Sequence, residues 1–111
     1  MITQTEIKDI VNKIATGYQP EKIILFGSYA QKNASENSDL DLFIVKKTDE
    51  PRYKRCTTVW KQLEGNRFPF PVDLIVYTPL EVETEKNNKF SFVYEVLKTG
   101  EVVYEYTKQN K

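Results

Sequence analysis

Apolar positions recur at helical spacing at the start of the chain. Ile7, Ile10, Val11 and Ile14 follow the i, i+3, i+4, i+7 rule, and Gly17 stands where such a helix would stop. Thr3, with Glu6 three positions later, fits a capping box, so the pattern predicts an amphipathic helix over residues 3–16. Next comes a short, unbroken apolar run over residues 22–26, the pattern of a strand buried on both faces, which Gly27-Ser28 ends. Residues 29–32 fit a short helix starting at Ser28, and 33–38 a loop rich in Asn and Ser. A second strand is predicted over 40–46, with Leu40, Leu42 and Ile44 on one face and Asp39, Asp41 and Phe43 on the other.

Helical spacing returns after Pro51, where Tyr53, Cys56, Val59, Trp60 and Leu63 form a rough stripe and Gly65 a stop. The basic residues Arg52, Lys54, Arg55 and Lys61 around it read first as a solvated face; approach of one or two to a nucleotide phosphate is the weaker alternative. Arg67, Phe68, Pro69, Phe70 and Pro71 make a stiff aromatic connector into a third strand over 72–77, closed by Thr78-Pro79. Phe90, Val93, Tyr94 and Leu97 give another helical stripe ending at Gly100, and residues 102–106 a final edge strand. The order of elements indicates a small α/β or α+β sheet with helices packed on it, in one domain spanning 1–111 with a frayed end; the pattern leaves strand direction open.

Composition narrows the chemistry more than the fold. The chain has no histidine, which removes Ser-His-Asp and Cys-His catalysis, His-ligated zinc and His general bases together. Sixteen basic and sixteen acidic residues cancel, so no global positive field gathers nucleic acid or anionic lipid. Cys56 has no partner for an internal disulfide and reads as a small core residue. Without a spanning apolar run or a signal-peptide pattern, the expected compartment is the cytoplasm.

Three short features carry candidate chemistry. Gly27-Ser28 between a strand and a helix suits a phosphate, although taken alone it is more simply a turn with a serine cap. Asp39 and Asp41, spaced i, i+2 on a strand, are either two solvated carboxylates at an exposed strand end or a cation site; alone, the two readings balance. Asp73 inside an apolar run is costly to bury unpaired, and beside the Asp39–Asp41 strand it would bring three carboxylates to one point. Oxygen-only ligation suits Mg²⁺ or Mn²⁺.

Together these residues resemble the minimal nucleotidyltransferases of the DNA polymerase β superfamily. The resemblance rests on Gly27-Ser28, ten intervening residues, Asp39-Leu40-Asp41 and the later Asp73, and it extends from the leading helix to the segment 93–104. It implies a polymerase β palm-like fold, a small mixed sheet flanked by helices. It also implies transfer of NMP, AMP from ATP being the first choice, to a hydroxyl acceptor. Asp39, Asp41 and Asp73 would be the catalytic and metal-binding residues, holding two Mg²⁺ (or Mn²⁺) ions, with Asp73 as candidate base. Gly27, Ser28 and Lys32 would bind the nucleotide phosphates.

Small members of the family are typically encoded beside a helical HEPN-type protein, often as the antitoxin of a toxin–antitoxin pair, and some transfer AMP to a tyrosine of that toxin. A HEPN-type toxin is therefore the expected partner, with a small molecule such as an aminoglycoside as another acceptor; nucleic acid is the least favoured partner, and a homo-oligomer stays open. Phe68, Phe70 and Phe90 offer aromatic surface for an interface, with core packing the simpler use of each. The family commonly continues Gly-Ser with Arg-Ala-Arg-Gly, whereas this chain reads Tyr29-Ala30-Gln31-Lys32. Loss of both arginines motivates a second reading, a binding module that keeps the fold and neutralises a partner by complex formation.

Overall fold

The structure is a computed structural model that describes residues 1–63 and 68–107. Its elements are α1 (Gln4–Tyr18), β1 (Lys22–Phe26), β2 (Leu40–Val45), α2 (Arg52–Gln62), β3 (Val72–Tyr77), α3 (Pro79–Glu85), α4 (Phe92–Thr99) and β4 (Glu101–Glu105). The strands form one mixed sheet in the order β3-β2-β1-β4. The β1–β2 and β1–β4 pairs are antiparallel, while β2 and β3 run parallel through the α2 crossover. The expected α+β architecture, with a mixed sheet between helices, is the one observed.

Alternation along the strands divides the interior into two cores. Ile23, Leu25, Leu40, Leu42, Ile44, Leu74 and Val76 pack with Ile7, Ile10, Ile14 and Val59 of α1 and α2. On the opposite face, Ile24, Phe43, Val45 and Tyr77 pack with Val93 and Val96 of α4. The period-2 reading of β2 therefore holds, and Asp41 falls on the α4 side with Phe43.

Several local expectations need correction. The Thr3–Glu6 capping box is present, but Gly17 lies inside α1, and the helix is ended by Gln19 in a left-handed conformation at φ 56°. What Gly17 provides is closeness to α2, since a Cβ there would stand 3.1 Å from the Gln62 carbonyl oxygen and 3.2 Å from Leu63 Cδ2. Residues 29–32 form no helix; they belong to a turn in which Gln31 N–H donates to the Gly27 carbonyl at 3.1 Å. Thr78-Pro79 does not merely close β3 but opens α3, through a second capping box between Thr78 and Glu81.

The stripe on α2 is shifted as well, because Tyr53 is 79% exposed while Arg55 is buried beside Val59. On α4 the buried positions are Val93 and Val96, with Phe90 98% exposed before the helix begins. The edge position of β4 is as expected, one residue earlier in the chain. Gly65, Arg67 and the last four residues, for which a stop, a connector and fraying were expected, lie outside the described residues.

Arg55 shows how the crossover is fixed. A buried guanidinium needs a donor-by-donor match, and Arg55 has one: Nε donates to the Glu50 carbonyl at 3.0 Å and Nη1 to the Val76 carbonyl at 3.2 Å. The same fork reaches both Glu81 oxygens, at 2.7 and 3.2 Å, and Glu81 in turn accepts the Thr78 N–H at 2.9 Å. Arg52 adds a second ion pair to Glu81 at 3.2 Å and lies over the Tyr77 ring at 4.3 Å. Two members of the presumed solvated face thus tie α2, the end of β3 and α3 together.

Candidate active site

The site is built where β1 ends and β2 and β3 begin. Because β2 and β3 are parallel and in register, Asp41 stands directly beside Asp73. Because β1 runs antiparallel to β2, Phe26 stands directly across from Asp41 on the other side. One row across the sheet therefore reads Phe26, Asp41, Asp73 on the α4 face. Asp73 is exposed on the edge strand β3, so it does not point into the core. Asp39 is also exposed, one residue ahead of β2, whose pairing with β3 begins where Leu40 N–H donates to the Pro71 carbonyl at 3.1 Å.

Asp41 feels the charge of both other carboxylates. Burial, then the charge of Asp73, then that of Asp39, push the Asp41 carboxyl up to about 6. Gly27, the residue after Phe26, turns the chain away at φ 75° directly against this group, and a Cβ on Gly27 would collide with Asp41 Oδ2. Glycine is required here for two independent reasons, its backbone angle and its closeness to the carboxylate.

The turn that follows is held by its own backbone. Asn33 N–H donates to the Ser28 carbonyl at 3.0 Å, and Lys32, exposed, adopts φ 64°. With no helix beginning at Ser28, the helix dipole expected to favour a phosphate there is replaced by the amides of a turn, which can form an anion-binding concavity. Tyr29, in the place of the family's first arginine, is turned to structural use: its hydroxyl accepts the Ile2 N–H at 2.9 Å and its ring packs against the α1–α2 core. Residue patterns gave no sign of this tether, because it links positions 27 apart in sequence.

The donor set suits a hard divalent cation: carboxylates only, raised in energy by mutual repulsion, at an open sheet end. Among the described residues, no set of three or more His, Cys, Asp or Glu side chains is already arranged to hold a metal ion. Asp41 and Asp73, fixed side by side in register, form the part of such a site that the backbone prescribes.

Comparison with known proteins agrees with this geometry. The family described as "Polymerase beta, Nucleotidyltransferase" matches residues 6–109. A "putative protein adenylyltransferase" of Methanocaldococcus jannaschii is 32% identical over 109 residues, covering 94% of this chain and all of its own. A second protein of that organism with the same description is 35% identical over 79 residues, which cover 68% of this chain and 90% of its own. In three dimensions the chain is similar to a "putative nucleotidyltransferase" from Sulfolobus solfataricus (TM-score 0.59, 24% identity, 89% of this chain and 77% of that one). It is also similar to a chain of a toxin-antitoxin structure with AMP-PNP (TM-score 0.54, 21% identity, 89% and 73% coverage); both structural likenesses concern the fold. The chain belongs to the polymerase β nucleotidyltransferase family, and its activity class is nucleotidyl transfer. Among the described residues no helix is long and apolar enough to cross a membrane.

Proposed function

We propose that this protein transfers AMP from ATP to a hydroxyl of a partner protein, acting in the cytoplasm as the antitoxin beside a helical HEPN-type toxin. The observation that carries the chemistry is the in-register pairing of Asp41 with Asp73, with the Gly27 turn pressed against Asp41. The AMP-PNP-bound toxin-antitoxin structure of similar fold, and the two relatives named for protein adenylylation, support the choice of nucleotide and acceptor.

In this reading Asp39, Asp41 and Asp73 would hold two Mg²⁺ or Mn²⁺ ions, which when bound would neutralise charge on the triphosphate and acidify the acceptor hydroxyl. Gly27 and Ser28 present turn amides to the β- and γ-phosphates, and Lys32 adds positive charge at the end of the turn. Asp73, exposed at the sheet edge and so open to an acceptor, takes the hydroxyl proton. The acceptor oxygen forms its bond to the α-phosphorus as the bond to the departing pyrophosphate breaks. The residues contribute positioning and charge; no covalent intermediate on the protein is required.

The test is incubation with ATP, Mg²⁺ and the product of the neighbouring gene, followed by mass spectrometry of every protein present. AMP on the partner, abolished in the Asp39→Asn, Asp41→Asn double variant, is the expected result. Modification that persists in the double variant removes these carboxylates from the mechanism. A tight complex without modification, indifferent to both substitutions, identifies a binding module instead, the reading that the missing arginines and the structural use of Tyr29 favour.

A further inference from the structure

On the same sheet face as the carboxylates stands an aromatic ring that is both held and left open. Phe92, the first residue of α4, lies edge-on to Phe26 with ring centroids 5.4 Å apart and an interplanar angle of 82°. It also meets Phe43 at 6.0 Å and Tyr77 at 6.2 Å, and Phe43 is fully buried beneath. Three rings on three different strands fix Phe92, yet 40% of it remains exposed. On the same helix Val93 and Val96 are covered while Leu97 is as exposed as Phe92; of these four it is Phe92 that meets rings from three strands.

Its position relative to the chemistry is set by sheet register. Phe26 pairs across the strand with Asp41 and is followed directly by Gly27, the start of the phosphate-binding turn in the reading above. Phe43 lies two residues along β2 from Asp41, about 7 Å. Phe92 is the most exposed of the rings that meet on this face, and Phe26, which it touches, stands in the row of Asp41 and Asp73, so a sugar and base reaching from that row over the face would meet Phe92.

We infer that Phe92 is the stacking platform for the nucleobase of the bound nucleoside triphosphate, with Phe26, Phe43 and Tyr77 holding its ring in place. The inference rests on the nucleotidyl-transfer reading of the carboxylate site. A held ring suits this use, because its rotamer freedom is already lost before the base arrives. Alanine substitution of a stacking aromatic costs on the order of tenfold or more in binding.

The experiment measures binding of ATP and of inorganic tripolyphosphate, each with Mg²⁺ and without acceptor, by calorimetry on the full chain. Phe92→Leu keeps the apolar contacts to α4's neighbours and removes the π face; Phe92→Trp keeps the face. The expected result is ATP binding weakened roughly tenfold in Phe92→Leu and retained in Phe92→Trp, with tripolyphosphate affinity the same in all three proteins. Equal ATP affinity in Phe92→Leu overturns the inference and leaves the carboxylate site standing. Failure of the unsubstituted chain to bind either ligand overturns both this inference and the site on which it rests.

Discussion

Gly27 concentrates more constraint than any other single residue of the site. A side chain there must accept φ 75°, which costs about 1–2 kcal/mol for an L-residue, and must also displace the Asp41 carboxylate. Gly27→Ala is therefore expected to lower thermal stability by at least that amount and to reduce AMP transfer far more than stability alone explains, measured by melting curves beside the mass-spectrometric assay. Asp41 makes the opposite trade. Its charge is set against burial and two other carboxylates, so Asp41→Asn should raise the melting temperature in a chelator while lowering transfer by at least about 100-fold. A melting temperature that falls in Asp41→Asn would mean that the carboxylate is satisfied by partners within the protein. Both residues were legible as candidates only in combination, Gly-Ser and Asp-Leu-Asp at ten-residue spacing with the later Asp73; alone, the first read as a turn and the second as an even choice. Their contact was not, because it arises where β1 and β2 pair.

Among the elements, α2 and α3 are joined by charge, through Arg52 and Arg55 to Glu81. Removing Arg55 leaves Glu81 without its main partner and strands the Val76 and Glu50 carbonyls, so Arg55→Ala is expected to cost about 3 kcal/mol. The Arg55 hydrogen bonds, with the Thr78 N–H and Arg52, hold the Glu81 carboxyl down at about 2 against burial, from an ordinary value near 4.5. A depressed carboxyl stabilises the fold above its unfolded value and loses that contribution as the pH falls from 4.5 toward 2. Urea unfolding at pH 5 and pH 3 should show a drop for the native chain that is smaller in Glu81→Gln; equal drops would remove Glu81 from the acid limb. The charge pattern on α2 did not reveal this. Arg55 is indistinguishable in sequence from Lys54 or Lys61 until Glu81 is known to open a helix, and the capping box that shows it, Thr78-Pro79-Leu80-Glu81, was masked by a proline that also fits a strand end. The stripes were legible only where apolar residues alone fill them. α1 is such a case, whereas Tyr53 and Phe90 matched the period and still face outward.

For the whole molecule the decisive fact is strand order. Sequence spacing placed Asp39 and Asp41 two residues apart, but bringing Asp73 beside them required β3 to run parallel to β2 after the α2 crossover, a pairing that no local pattern encodes. The fold assembles mutually repelling carboxylates at one sheet end, and the apolar packing of both cores offsets the repulsion. Such a molecule is poised to gain stability from any cation it binds in the folded state alone. With Mn²⁺ and ATP at a hundredfold excess over their dissociation constants, the gain is about 2.7 kcal/mol, a shift of several degrees in melting temperature. Asp41→Asn should melt higher than the native chain in a chelator and show little further rise with Mn²⁺ and ATP, so the order of the two melting temperatures narrows or reverses on adding ligand. That narrowing separates a carboxylate kept for a metal from one that is merely badly placed, because removal of a badly placed charge raises stability equally in both buffers.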